Sequence, residues 1–340
     1  MAINYANGLL EYVEFSGLVC TRKEGRLQSQ IHSGVSYLFL DKKSSFDFNA
    51  LLQFRKYCVQ HQIDFIHAHS SSFFWAVLVK LSLPKLKIIW HNHLGASKNL
   101  KGFYFYLLKF CSLFFCTTIA VNQDLQQWNN NTLFVTGFYL PNFTLIENDD
   151  LTETEILKGV KWKKILCLAN LRSEKNHLFL LEVATLLKAY DAEWSFHLVG
   201  KDFNDAYSEQ LKQAIIDKNL TENVYVYGGL TAVKEVINES DFGILTSTSE
   251  GLPVSLLEFG FLGKTVIASN VGDIKSLIIA DETGLLIAEH NATDFFNAII
   301  KLIEQKDFKF KLEQNFLKHV VSNYSIDAIL KIYLDRINTV

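Results

Sequence analysis

Residues 249–260 read S-E-G-L-P-V-S-L-L-E-F-G, with carboxylates at Glu250 and Glu258. The run before it, D-F-G-I-L-T-S (Asp241–Ser247), is short and apolar, as expected of a buried strand ending near Thr246. Pro253 suits the first position of a helix, where no backbone N–H is needed, and that helix should stop near Gly263. Gly251, Leu252, Pro253 and Val254 then form a helix N-terminus at a strand's carboxyl end. Free N–H groups and the helix dipole make such a place an anion site. Gly251 also lets a ligand approach the backbone closely. From Pro253 to Glu258 the helix rises roughly 7–8 Å, so the two carboxylates flank the site without occupying it. An ionised carboxylate only accepts hydrogen bonds, and paired hydroxyls suit it. A ligand with hydroxyls at both ends and a diphosphate between them, such as a nucleotide-sugar, meets every requirement. Taken singly, Glu250 reads as a helix cap and Glu258 as a solvated side chain. The pair in this setting reads as functional.

The same strand-then-helix rhythm extends in both directions. Strands are expected at 17–20, 35–40, 64–67, 87–90, 117–121 and 133–135, with helices near 46–61, 72–82 and 100–115. A second run places strands at 164–169, 195–199, 224–227, 242–245, 265–268 and 284–287. Helices of that run fit near 176–189, 205–218, 232–239, 253–262 and 293–305, followed by helical segments at 308–322 and 325–337. Such alternation argues parallel sheets covered on both faces, hence an α/β chain of two doubly wound domains. Ligands in such folds bind outside the carboxyl ends of strands, and the cleft between two domains is the default site. The boundary is placed in P-N-F-T-L-I-E-N-D-D-L-T-E-T, residues 141–154.

Composition bounds the rest. The 340 residues are 49% hydrophobic and 20% charged, with few glycines and prolines, which fits folded domains without a long linker. A net charge of −3 makes no case for nucleic acid. Residues 1–150 carry 13 Lys+Arg and 10 Asp+Glu, whereas the remainder carry 20 and 26. The asymmetry hints that the first half meets an acidic ligand or a membrane surface, but the preferred reading is the plain one of ordinary solvated faces. Five scattered cysteines without a C-x-x-C fit a reducing compartment, and the start has no secretory signal pattern. The most apolar stretch, F-Y-F-Y-L-L-K-F-C-S-L-F-F-C-T-T-I-A-V (Phe103–Val121), is nearly long enough to cross a bilayer. Lys109 in its middle and the β-branched end argue for a buried helix followed by a strand. A helix lying on a membrane surface is the alternative.

With these residues in view, S-E-G-L-P-V-S-L-L-E followed by G-K-T-V-I-A-S-N-V-G resembles the E-x7-E signature of the retaining glycosyltransferases of family 4, which have the GT-B fold. The resemblance spans nearly the whole chain. It includes A-N-L-R-S-E-K-N-H (169–177), F-H-L-V-G (196–200), Y-L-P-N-F (139–143), I-D-F-I-H-A-H-S (63–70) and I-I-W-H-N-H-L-G (88–95). It implies two Rossmann-like domains facing across a cleft: an acceptor-side domain at 1–145, a nucleotide-sugar domain at 146–322, and a terminal helix, 323–340, packing back on the first domain. It implies that Glu258 binds ribose hydroxyls and that Glu250 holds the transferred sugar. Backbone N–H groups at Gly251–Val254 would meet the diphosphate, and Lys175 with Arg172 would neutralise the leaving group. Asn170 and Gly200 join the donor-binding set, and His91 would lie near the sugar. The implied reaction moves a sugar from a UDP- or GDP-linked donor to a hydroxyl of a saccharide or lipid-linked acceptor in surface polysaccharide synthesis. It proceeds by front-face displacement with retention, without metal or further cofactor. The location expected is cytoplasmic, with peripheral contact on the inner face of the plasma membrane through the first domain left open.

Two departures stand out. Many members carry an arginine where this chain has Asn170, and Arg172 is expected to substitute. The family's first domain also opens with a strand and a glycine-rich loop, whereas this chain starts at the following helix. The expectation is a natural start roughly 20 residues upstream. Rival readings are a nucleotide-sugar epimerase of the same fold, a glycoside hydrolase working through two carboxylates, and a metallohydrolase. The last would use His67, His69, His91 and His93, two H-x-H pairs at strand ends.

Overall fold

A computed structural model describes residues 1–44, 46–93, 100–143, 156–230 and 232–339. The chain divides into two compact units, Met1–Phe143 with Ile326–Val340, and Thr144–Ser325. Most of the segment read as the domain boundary, from 144 to 154, lies outside the described residues.

The second unit is built on one six-stranded parallel sheet. Its strands are β7 (Lys164–Leu168), β8 (Ser195–Val199), β9 (Val224–Gly228), β10 (Phe242–Leu245), β11 (Val266–Ser269) and β12 (Leu285–Ile287). They lie side by side in the order β12-β11-β10-β7-β8-β9. Counted within the unit this is the doubly wound order, which reverses between the first and fourth strands, here β7 and β10. The ladder fixes that junction by pairing Phe242 with Ile165 and Gly243 with Leu166. Sheet residues are buried on both faces, as in Phe196, Leu198, Ile244, Val266 and Ile267, which is why these strands read as continuous apolar runs. Helices α6 (His177–Tyr190), α7 (Ala206–Asp217), α8 (Val233–Glu239), α9 (Val254–Phe261), α10 (Ile274–Leu277), α11 (Ala292–Glu304) and α12 (Lys306–Tyr324) complete it.

The first unit has two parallel ladders. One pairs β1 (Gly17–Cys20) with β2 (Ser36–Phe39). The other runs β3 (Phe65–His69), β4 (Lys87–Asn92), β5 (Thr117–Ala120), β6 (Gly137–Tyr139). On β4 the side chains alternate. Ile88 and Trp90 join a cluster with Phe73 and Leu108, from α3 (Phe73–Ser82) and α4 (Gly102–Cys111). Ile89 packs with Tyr5, Ile329, Leu330 and Tyr333, from α1 (Ala2–Gly8) and α13 (Ile326–Ile337). The terminal helix thus covers one face of the first unit's sheet. Helices α2 (Phe48–Gln60) and α5 (Gln123–Thr132) complete the unit.

One strand falls elsewhere than expected. Leu133–Val135 directly follows α5, and the edge strand is Gly137–Tyr139. Helix α5 has the polar sequence Q-D-L-Q-Q-W-N-N-N-T, so it shows little apolar periodicity; its start is fixed by Asn122, whose side chain accepts from Leu125 N. The β3 strand also runs on to His69 rather than ending at His67. No described helix is long and apolar enough to cross a membrane.

Candidate active site

The two strands at which the second unit's sheet reverses each lead into a loop that carries a charged side chain. After β7 the chain turns through Ser173–Lys175, and Asn176 adopts a left-handed conformation with φ 55° before α6. After β10 it passes through Thr246–Pro253 into α9. The loops are tied together. Thr248 N donates to Glu174 O at 2.8 Å, and Thr246 Oγ1 donates to the carbonyls of Lys175 and Asn176, both at 3.2 Å.

These ties bring Lys175 Nζ to 2.5 Å from Glu250 Oε1. Ser247 Oγ donates to the same oxygen at 2.6 Å. The Glu250 side chain is only 7% exposed and that of Lys175 21%, so the pair lies partly out of water, where such a contact is strengthened. Two further groups hold the Glu250 loop. His290 Nε2 is 3.0 Å from Thr246 O and 3.1 Å from Ser247 O, so that nitrogen carries the proton and donates. Gly272, with φ 58°, passes so close that a Cβ on it would stand 2.0 Å from the Glu250 carbonyl oxygen. The next residue, Asp273, donates its N–H to Gly251 O at 3.2 Å. His290, Ser247 and Gly272 were not legible as site residues, because their role depends on contacts with a loop distant in sequence or on backbone proximity.

Helix α9 begins at Val254, one residue later than expected, because Pro253 has an extended ψ of 121° and serves as its cap. No side chain caps it, and Leu256 N donates to Pro253 O at 3.2 Å. Glu258 lies on this helix among apolar neighbours, and burial pushes its carboxyl up to about 7. On the β7 side, Asn170 Oδ1 accepts from Lys201 N at 2.9 Å. Gly200 passes the same turn; a Cβ there would stand 2.0 Å from Ala169 O. Arg172 faces outward, 3.7 Å from Glu174 and with its guanidinium 4.7 Å from the centre of the Phe203 ring. It therefore spends its charge on a neighbouring acid and an aromatic face rather than on Glu250.

His91, on β4 of the first unit, is fully enclosed at 0% exposure, and its Nε2 has no hydrogen-bond partner among the described residues. His93, two residues on and on the same strand face, is the more accessible imidazole. His67 and His69 of β3, His91 of β4 and His93 just beyond β4 form a stack. His67 Nε2 is 3.1 Å from His91 Nδ1, and His69 Nδ1 is 2.8 Å from His93 Nε2. Coordinating atoms of His67, His69 and His91 lie within 4.8 Å of one another, the one such group among the described residues. No carboxylate joins them, and several of their nitrogens are spent on each other. Burial, aided by the neighbouring histidine, holds His67 down to about 3; burial holds His93 down to about 4. The stack is neutral near pH 7 and packs under Tyr5 and Tyr333 as part of the sheet-to-helix core.

A helix start with no side-chain cap and a Lys–Glu pair thus lie together at the sheet's switch point, where doubly wound folds bind ligands. A family model described as glycosyl transferases group 1 matches residues 150–319, half of the chain, and one described as glycosyltransferase family 4 matches residues 15–133. The chain belongs to the group 1 glycosyl transferases. Among curated relatives of this group 1 chain is a UDP-Gal:alpha-D-GlcNAc-diphosphoundecaprenol alpha-1,3-galactosyltransferase of Escherichia coli. It is 24% identical over 320 residues, covering 86% of this chain and 80% of that protein. A poly(ribitol-phosphate) alpha-N-acetylglucosaminyltransferase of Staphylococcus aureus is 27% identical over 161 residues, 47% of this chain. That match spans only about a third, 32%, of the larger protein. Among solved structures, Anabaena Alr3699/HepE in complex with UDP and glucose matches with a TM-score of 0.84 at 15% identity, over 100% of this chain and 96% of that one. The fold of this group 1 glycosyl transferase is therefore GT-B, with two Rossmann-like domains.

Proposed function

We propose that this glycosyltransferase moves a sugar from a UDP- or GDP-linked donor to a hydroxyl of a saccharide or lipid-linked acceptor, with retention, in surface polysaccharide synthesis. The observation that carries the reading is the Lys175–Glu250 contact beside the uncapped start of α9, at the strand reversal of the second unit. The relatives, a diphosphoundecaprenol-linked GlcNAc galactosyltransferase and a poly(ribitol-phosphate) N-acetylglucosaminyltransferase, support the class of acceptor.

In this reading the diphosphate meets the N–H groups of Gly251 and Val254, and Lys175 neutralises the charge that grows on it as the glycosidic bond breaks. Arg172 reaches the same phosphate by leaving Glu174, with which it shares only a solvent-exposed ion pair. Both hydrogen bonds to Glu250 land on Oε1, which directs Oε2 to a hydroxyl of the transferred sugar. The acceptor attacks from the face the phosphate leaves, and its proton passes to the departing phosphate oxygen. Cationic side chains supply the charge neutralisation, so activity should be unchanged by EDTA; a loss of activity restored by a divalent cation would overturn the metal-independent route.

The test of donor class is a thermal-shift panel of nucleotide-sugars. A donor at about 100 times its Kd stabilises the folded state by about 2.7 kcal/mol. At about 2–4 °C per kcal/mol for a domain of this size, the expected rise is roughly 5–11 °C. A panel in which no uridine or guanosine diphosphate-sugar moves the Tm sinks the proposal.

Glu258 gives a pH signature. Without ligand its folded-state pKa is about 7, against an ordinary 4.5. The folded protein thus binds the proton more tightly, and this group's contribution to stability falls as pH rises from about 4.5 to 7. Ribose hydroxyls donating to Glu258 favour the carboxylate, so donor affinity has the opposite sign. Kd should weaken by up to about tenfold per pH unit below 7. Titration calorimetry between pH 5.5 and 8 reads this directly, and Glu258→Gln should remove the dependence. A slope that survives in the Gln variant would assign it to another group.

A further inference from the structure

The two H-x-H pairs of the first unit are not used by the transfer chemistry proposed above. Strands β3 and β4 pair in parallel, with His69 opposite His91. His67 lies two residues before His69, so the three imidazoles share one sheet face. Tyr5 lies over that face, its ring centre 4.8 Å from that of His67, 5.9 Å from His69 and 5.7 Å from His91. One coordinating atom from each of the three histidines lies within 4.8 Å of the other two. Two polar atoms of the cluster have no part in it. His91 Nε2 and Tyr5 Oη are buried and without a hydrogen-bond partner among the described residues. Folded proteins rarely leave such atoms unpaired, and two of them beside three imidazoles point to a ligand at that place.

The contacts inside the cluster select the ligand atoms. His67 Nδ1 is 3.4 Å from Tyr333 Oη, and His69 Nδ1 is 2.8 Å from His93 Nε2. Outer contacts of this kind hold a ligating imidazole in place, and they leave the Nε2 of His67 and of His69 to an ion. The third nitrogen comes from His91, whose Nδ1 stands 3.1 Å from His67 Nε2. Two nitrogens on one tetrahedral zinc, at 2.0–2.1 Å from it, stand about 3.3 Å apart. A turn of the two rings therefore lets an ion replace the proton they share. That proton moves to the far nitrogen of its own ring, so each imidazole stays neutral. Imidazoles without a carboxylate or thiolate suit zinc, copper and nickel, whereas magnesium, calcium and manganese call for oxygen ligands. His67 and His69 are only partly buried, which gives an ion a way in.

We propose that His67, His69 and His91 bind one divalent transition-metal ion of the zinc type. The ion ties β3 to β4 on the face that α1 and α13 cover, and water completes its coordination. It is a structural ion of the first unit and takes no part in sugar transfer.

The experiment is a metal titration of the full chain, stripped with EDTA and then dialysed free of it. Equilibrium dialysis should show one Zn²⁺ bound per chain and no Mg²⁺. Zn²⁺ at about 100 times its Kd should raise the Tm by roughly 5–11 °C. Co²⁺ should bring up the visible absorption of a tetrahedral nitrogen site. His67→Gln and His69→Gln should each weaken Zn²⁺ binding by roughly 100-fold or more. A Tm in EDTA close to the parent's shows that these variants fold. Should they misfold, the Co²⁺ spectrum of the unmutated chain decides alone, and an octahedral spectrum overturns the proposal. So does absence of Zn²⁺ uptake, uptake that both variants leave unchanged, or Mg²⁺ bound as tightly as Zn²⁺. The nucleotide-sugar thermal shift, run in EDTA, is a separate measurement, so failure here leaves the reading of sugar transfer standing.

Discussion

Replacing Glu250 with alanine is expected to lower kcat by roughly 10²–10³ while changing KM by only a few-fold. The side chain is nearly enclosed, and its Oε1 takes both Lys175 Nζ at 2.5 Å and Ser247 Oγ at 2.6 Å. Removing the carboxylate releases the lysine, so two parts of the proposed charge pattern fail at once. The proposed anion site at the start of α9 would be made of backbone and would stay, which is why donor binding should survive better than turnover. Because the two side chains share one contact, their effects should not add: Glu250→Ala in a Lys175→Ala background should cost much less than it does alone. Loss of a partner from a partly buried pair also destabilises, so a Tm measurement must accompany the kinetics. A variant that folds and keeps kcat within about threefold of the parent would remove Glu250 from the reaction.

The largest effect on folding is expected at Gly272. Its φ of 58° is one that side-chain-bearing residues rarely adopt, and a Cβ there would stand 2.0 Å from the Glu250 carbonyl oxygen. Gly272→Ala therefore adds a backbone clash to conformational strain. The sum should be about 3 kcal/mol or more, seen as a Tm fall of roughly 6–12 °C. Gly263→Ala is the matched control. It has φ 67° but nothing within 4 Å of a Cβ, so it should show the strain alone, about 1 kcal/mol. The clash also pushes on the residue that holds the sugar in this reading, so Gly272→Ala should lose activity beyond its loss of stability. Equal destabilisation by the two substitutions would mean the close approach relaxes at no cost.

The parts of the fold visible in the sequence were those whose burial is symmetric. Strands such as Phe242–Leu245 and Val266–Ser269 are buried at every position and almost wholly apolar because helices cover both faces. Helix α5 was missed because its few apolar contacts, Leu125 and the partly buried Trp128, leave no repeating stripe in a polar segment. In the site, Glu250, Lys175 and the start of α9 could be read because a local motif holds them. The packing that decides accessibility could not. His91 and His93 sit two apart on one strand face, and nothing in I-I-W-H-N-H tells which imidazole the helices α1 and α13 will cover. His290 is invisible for another reason. It acts by donating to two carbonyl oxygens more than 40 positions away, and backbone carbonyls leave no residue-type signal.

The helix Ile326–Ile337 packs with Tyr5 and Ile89, although Thr144–Ser325 forms a separate unit between them in the chain. This has a consequence for biosynthesis. Domains fold as their sequence leaves the ribosome, N-terminal part first. Here most of the first unit is synthesised early but lacks a covering layer for one sheet face until Ile326–Ile337 has been made. The second unit can close while its predecessor still waits with Tyr5, Ile89 and Ile119 uncovered. Nascent-chain arrest just before residue 326 should thus leave a folded second unit and a chaperone-dependent first one.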